Sequence, residues 1–126
     1  MKKFVFVGVL MALAAPAALA DAHSEIVQAE THAGLATQAG SLEGVHQHLH
    51  HALNCLVGPA GNGFDAKEMN PCANAGNGAI PDTTDAAKKT ALQSAADQLS
   101  TSIAETDADQ AKQGATKAAD MLKAAE

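Results

Sequence analysis

Six histidines lie between His23 and His51, and the rest of the chain carries none. Four of them fall in the run His46-Gln47-His48-Leu49-His50-His51. Neutral imidazole is a nitrogen donor that suits copper, nickel and zinc, whereas calcium and magnesium prefer oxygen. Spacing adds to residue type. Residues three or four apart share a helix face, so His46 with His50 forms a chelating pair at the i, i+4 spacing of helical zinc sites. His48 and His51 form a second pair on another face, together with Cys55. His32 belongs to the preceding helical stretch. With a turn centred near residue 40 it stands level with position 48, so a site between two helices can join His32 to His48, to His51 or, at another rotation, to His46. Glu25, Glu30 and Glu43 are candidate oxygen ligands for such a site, and Met69 offers a thioether suited to Cu(I).

His23 raises a different possibility. The first 20 residues have the build of a secretory leader: Lys2 and Lys3, then an apolar run from Phe4 to Leu13 too short to span a bilayer, then the small-x-small site Ala18-Leu19-Ala20. Cleavage after Ala20 leaves Asp21-Ala22-His23 at the amino terminus. Its amine, two deprotonated amides and one imidazole nitrogen can then enclose Cu(II) or Ni(II) in a square plane. A cut after Ala22 would make His23 itself the terminus. No second long apolar run follows, so the mature chain, 21–126, is expected to be exported without a membrane span.

The whole chain carries 8 Lys and Arg against 14 Asp and Glu, a net charge of −6. Loss of the two leader lysines takes this to −8, and arginine is absent. A surface of that sign has nothing to read phosphates, which excludes nucleic acid as an expected partner. Phe64 is the one aromatic residue beyond the leader, and alanine dominates the rest. A core built so thinly calls for a staple. Cys55 and Cys72 are expected to supply it as a disulfide, the favoured state of an even cysteine count in an exported chain. Closing a 17-residue separation contributes about 3 kcal/mol in the chain-entropy model. The alternative, a pair of thiolate metal ligands, is disfavoured in an oxidising compartment.

The elements that must position these residues are helical. Ala22, Ile26, Ala29, Ala33 and Ala36 repeat at helical spacing and predict a helix over 22–38, and Gly40-Ser41 makes the turn and the next cap. Leu42, Val45, Leu49, Leu53 and Leu56 form the stripe of a second helix, stopped by Gly58-Pro59. Residues 58–82 form a long Gly-, Asn- and Pro-rich loop that Cys72 would pin to the second helix. Pro81-Asp82-Thr83 predicts the capped start of a third helix over 86–104, and Thr106 with Asp109 has the pattern of a capping box opening a last helix to Ala125. Two helical hairpins joined by a pinned loop predict an all-α domain over 21–126, a small up-down four-helix bundle. The histidines sit in the first hairpin, 21–57; the Ala-rich second hairpin, 83–126, has none.

Asp21-Ala22-His23 resembles the amino-terminal copper and nickel site of serum albumins, a likeness of three residues that implies nothing about fold. Ala29-x-x-His32-Ala33 followed by His46-x-His48-Leu49-x-His51-Ala52-Leu53 is similar to the small histidine-rich periplasmic metal-binding proteins of four-helix type. That resemblance implies a periplasmic protein that sequesters or delivers copper, with nickel or zinc as alternatives. Two rival readings are a bundle that binds haem non-covalently for electron transfer, since no Cys-x-x-Cys-His run is present, and a non-catalytic protein that binds another periplasmic protein. No serine elbow, phosphate loop or acid pair points to an enzyme. Protein recovered from an exporting host is expected to begin at Asp21. Intact-mass measurement checks this, and a chain beginning at Met1 or at His23 would count against it.

Overall fold

A computed structural model of the protein describes residues 20–126; the leader predicted over 1–20 lies, except for Ala20, outside the described residues. Five helices and no strand occur among the described residues: α1 Ala22–Gln38, α2 Leu42–Val57, α3 Ala79–Asp82, α4 Ala86–Ile103 and α5 Ala108–Ala125. None is long and apolar enough to cross a membrane.

Each of the four long helices starts on a side-chain oxygen that takes up an amide the helix cannot use. Asp21 accepts from the Ser24 amide (3.0 Å), Ser41 from Gly44 (3.1 Å), Asp85 from Lys88 (2.7 Å) and Asp107 from Gln110 (2.9 Å). Two of these correct the expected caps, while the expected helix start at Ala86 holds. Asp82 does not open α4: it ends the short helix α3, and its carboxylate accepts from the backbone and side-chain nitrogens of Asn77 (2.6 and 3.2 Å). Asp107 displaces Thr106 as the cap of α5, because an aspartate in extended backbone meets the same amide need one residue later.

Residues 39–41 and 104–107 are connections too short to let the chain do anything but reverse, so α1–α2 and α4–α5 are antiparallel hairpins. Helix α1 packs on α2 and α5, and α4 packs on α5 and α2. Their shared core joins the fully buried Ile26, Leu49, Leu56, Leu92, Leu99 and Leu122 to the alanines 29, 33, 36, 95, 111, 115 and 118. Alanine lets backbones approach closely, but each buried methyl removes little apolar surface from water. The large side chains of the core are therefore the leucines, drawn from α2, α4 and α5, together with Ile26 of α1.

The loop 58–78 is fastened in three ways. Cys55 and Cys72 form the expected disulfide, with 5.1 Å between Cα atoms. The side chain of Asn54, fully buried, donates to the carbonyls of Asp65 (3.0 Å) and Met69 (3.1 Å) and accepts from the Asp65 amide (2.9 Å). Gly58 and Gly78, both at positive φ (68° and 116°), bring the two ends of the loop into backbone contact; a Cβ on Gly58 would lie 1.7 Å from the Asn77 carbonyl oxygen. Only glycine accommodates both the dihedral and the approach.

Glu25 ties the same loop to α1. Its side chain is fully buried; Oε1 accepts from the Gly78 amide at 2.9 Å and Oε2 has no partner. Burial, reinforced by the carboxylates of Asp82 and Asp21 and opposed by the Gly78 amide, pushes its pKa up to about 7. The folded protein thus holds this proton up to about pH 7, whereas an unfolded glutamate releases it near 4.5. Between those values the folded state binds more protons, and stability falls as pH rises. Glu25→Gln keeps the acceptor and removes the charge. Its stability relative to wild type is expected to grow by on the order of 1–3 kcal/mol across that window. Urea unfolding at the two ends of the window checks this; a pH-independent difference would contradict it.

Candidate metal centre

The three-residue turn between α1 and α2 sets the register that brings His32 opposite His48. His51 lies one turn further along α2, next to the buried Cys55. One ring nitrogen from each of His32, His48 and His51 lies within 4.8 Å of the others. His32 Nδ1 and His48 Nδ1 are 3.4 Å apart. The ring centroids stand 5.7 Å (His32–His48), 5.2 Å (His32–His51) and 5.7 Å (His48–His51) apart, and the His51 ring stands nearly perpendicular to both neighbours, at 80° and 85°. His32 and His51 keep 9% and 5% of their surface exposed, and His48, half-buried, forms the open side. This cluster could hold a metal ion.

Distance indicates which geometry it suits. With bonds of about 2.05 Å, nitrogens on a tetrahedral ion stand about 3.3 Å apart and neighbouring corners of a square plane about 2.9 Å. The His32–His48 spacing of 3.4 Å agrees with the first. Drawing in the third nitrogen from 4.8 Å asks for a shift of at most about 1.5 Å, within the range of a χ rotation.

The electrostatics favour neutral rings. Burial, followed by the charges that His51 and His48 would carry, lowers the His32 pKa below its usual 6.5. Burial also lowers His51, against an opposing hydrogen bond and charge from Glu68. Metal binding requires the deprotonated imidazole, so the enclosure prepares the donors. His51 Nε2 lies 3.3 Å from Glu68 Oε2, while its Nδ1 is buried without a partner.

Of the histidines singled out by spacing, the other three stand apart from this cluster. His46 does not pair with His50: its Nε2 donates to the Glu105 carbonyl (2.9 Å), which ties the start of α2 to the α4–α5 connection. His50 Nδ1 lies 3.7 Å from Asp65 Oδ2. The i, i+4 geometry was available, but the His46 ring is hydrogen-bonded to another segment, while His50 faces Asp65 with its Nδ1 buried and without a hydrogen-bond partner. His23 is exposed, nine residues and about 13 Å of helix axis from His32. Asp21, Ala22 and His23 are otherwise engaged here. Asp21 caps α1, its amide donates to the Ala75 carbonyl (3.0 Å), and Ala22 and His23 are helical. The suggested oxygen ligands are also elsewhere: Glu25 is committed to Gly78, Glu30 shares a hydrogen bond with Glu126 that raises its pKa, and Glu43 is exposed. Met69 is 55% exposed. Cys55 and Cys72, being bonded to each other, are not thiolate ligands.

Nothing in the sequence marks Glu68 or Asn54. They lie 17 and 3 residues from His51, and only the folded loop relates Glu68 to that ring. The chain matches no protein family model, no curated protein and no solved structure, so the functional reading rests on this geometry.

Lowered imidazole pKa values have a signed consequence for the metal-free protein. Unfolded histidines take up protons near pH 6.5, the folded His32 and His51 only below it, so the unfolded state gains as pH falls through that range. In a Glu25→Gln background, which removes the buried opposing carboxyl, the urea midpoint is expected to fall as pH drops below about 6.5. Replacing His32 and His51 by Asn should flatten that slope; an unchanged slope would contradict the assignment.

Proposed function

We propose that this chain is an exported metal-binding protein that holds one copper, zinc or nickel ion between α1 and α2 and serves to sequester or deliver it. The observation that carries the reading is the convergence of His32, His48 and His51 from two helices. Three nitrogen donors with a half-open fourth side are the donor set of metals in the copper–zinc part of the series. The 3.4 Å spacing favours tetrahedral or trigonal ions, Zn(II) or Cu(I), over a square-planar one. Export is supported by the leader-like start and by a disulfide, which persists in oxidising compartments. The cyclic packing of the four long helices supports an up-down four-helix bundle as the frame.

The amino-terminal site is a separate proposal. Cu(II) or Ni(II) in four nitrogens at Asp21-Ala22-His23 needs a free amine and the unwinding of the first turn of α1. That costs the Asp21 cap, about 1 kcal/mol. The haem alternative gains nothing from the geometry. Three rings with centroids 5.2–5.7 Å apart leave no slot for a macrocycle. The apolar cleft of about 410 Å³ beside α4, lined by Leu53, Val57, Ile80 and Ala96, contains no histidine.

Calorimetry on the chain beginning at Asp21 tests the proposal, with Cu(I) followed by a competing chromogenic chelator. One ion per chain is expected to bind much more tightly than about 100 μM. His32→Ala, His48→Ala and His51→Ala should each weaken Zn(II) binding at least tenfold, while His46→Ala and His50→Ala leave it within about threefold. Binding no tighter than about 100 μM for every metal, or equal losses at all five positions, would end the reading. An extra residue before Asp21 should abolish a four-nitrogen Cu(II) band and leave Zn(II) binding intact.

A further inference from the structure

The loop 58–78 has no evident reason to be held so firmly if it only connects two hairpins. A disulfide, the threefold hydrogen bonding of one fully buried asparagine and a glycine contact at its base all converge on it. What the fastening delivers is Glu68. Its side chain, about one-third exposed, faces the buried His51, with 3.3 Å between Oε2 and Nε2.

We propose that Glu68 is a positioning residue of the metal centre: by accepting the Nε2–H of His51 it fixes the ring as the tautomer whose Nδ1 lone pair is free to bind the ion. This rests on the reading of His32, His48 and His51 as a metal site, and adds to it a carboxylate–histidine–metal arrangement. The chemistry follows from the two nitrogens of one ring. A neutral imidazole carries one N–H and one lone pair, and the hydrogen bond at one nitrogen decides which role the other takes. With Nε2 donating to Glu68, Nδ1 is the donor atom, and Nδ1 is the buried nitrogen of His51 that has no partner. The negative charge of Glu68 raises the basicity of the ring as a ligand, as outer carboxylates do for metal-bound histidines.

Asn54 places the loop backbone on both sides of Glu68, since it bonds Asp65 and Met69. Asp65, on the same loop, stands 3.7 Å from His50. That pair has no second imidazole to work with, which is why Glu68 and not Asp65 is assigned the role.

Three proteins test this: wild type, Glu68→Gln and Glu68→Ala, each beginning at Asp21 and with the disulfide intact. Zn(II) affinity is measured by calorimetry, and histidine side-chain 15N chemical shifts by NMR with and without Zn(II). The expected result for Glu68→Ala is a 10–100-fold loss of affinity, with the metal-free urea midpoint unchanged. In wild type the metal-free His51 should be the Nε2–H tautomer, and Zn(II) should shift Nδ1. In Glu68→Ala the metal-free ring should populate both tautomers. Glu68→Gln should lie between the two, because its amide oxygen still accepts but carries no charge.

Affinity of Glu68→Ala within about threefold of wild type, or Zn(II) on His51 Nε2, would overturn the role of Glu68 while leaving the three-histidine site standing. Wild type that binds no metal would overturn both.

Discussion

Asn54 and Cys55 stand side by side in the last turn of α2, and through them a 21-residue irregular segment becomes part of a helical structure. A loop of that length rich in glycine and asparagine would ordinarily be the most mobile part of a small domain. Here Asn54 meets three backbone groups of the loop from inside the core. An asparagine buried without such partners would cost several kcal/mol; with its hydrogen bonds made it specifies one loop arrangement. The Cys55–Cys72 bond removes loop entropy from the unfolded chain. Glu68 against His51, Asp65 against His50, and the glycine contact that brings residue 78 back to residue 58 all follow from this fastening.

The alanine-rich frame explains why the site could form between α1 and α2. Small residues along α1 bring its axis close to its neighbours, so two imidazoles facing across the hairpin meet at 3.4 Å. Larger residues at Ala29, Ala33 or Ala36 would push the helices apart and the rings with them. The same frame places two kinds of buried ionisable group two turns apart on one face of α1. Glu25 is held protonated to about pH 7, and His32 is held neutral below 6.5. Both depart from their ordinary values for one reason: burial disfavours the charged form, raising an acid and lowering a base. Their effects on stability therefore oppose each other as pH changes.

The helices and the register of the first hairpin were legible in the sequence; the tertiary claims on individual side chains were not. The bounds of α1 and α2 follow from apolar repeats and from Ser41 and Gly58, and the level placement of His32 with His48 follows from a turn near residue 40. The spacing of His46 and His50 was equally suggestive on paper. The two rings nevertheless meet different neighbours, because helical periodicity specifies which residues share a face, and not which neighbours that face meets: Glu105 and Asp65 come from other segments of the chain. The expected bound of α4 at Ala86 holds, but the caps of α4 and α5 were displaced by three residues and one residue because Asp82, Asp85, Thr106 and Asp107 are all competent caps, and loop geometry chooses among them. Glu68 leaves no trace in local pattern at all.

The central claim is that His32, His48 and His51, and not the other histidines, form one metal centre. Histidine side-chain 15N NMR of the chain beginning at Asp21, titrated with Zn(II), addresses it residue by residue. The account predicts that one equivalent shifts ring nitrogens of His32, His48 and His51 together and leaves those of His23, His46 and His50 in place. Shifts that appear first at His46 and His50, or at His23 alone, would contradict it.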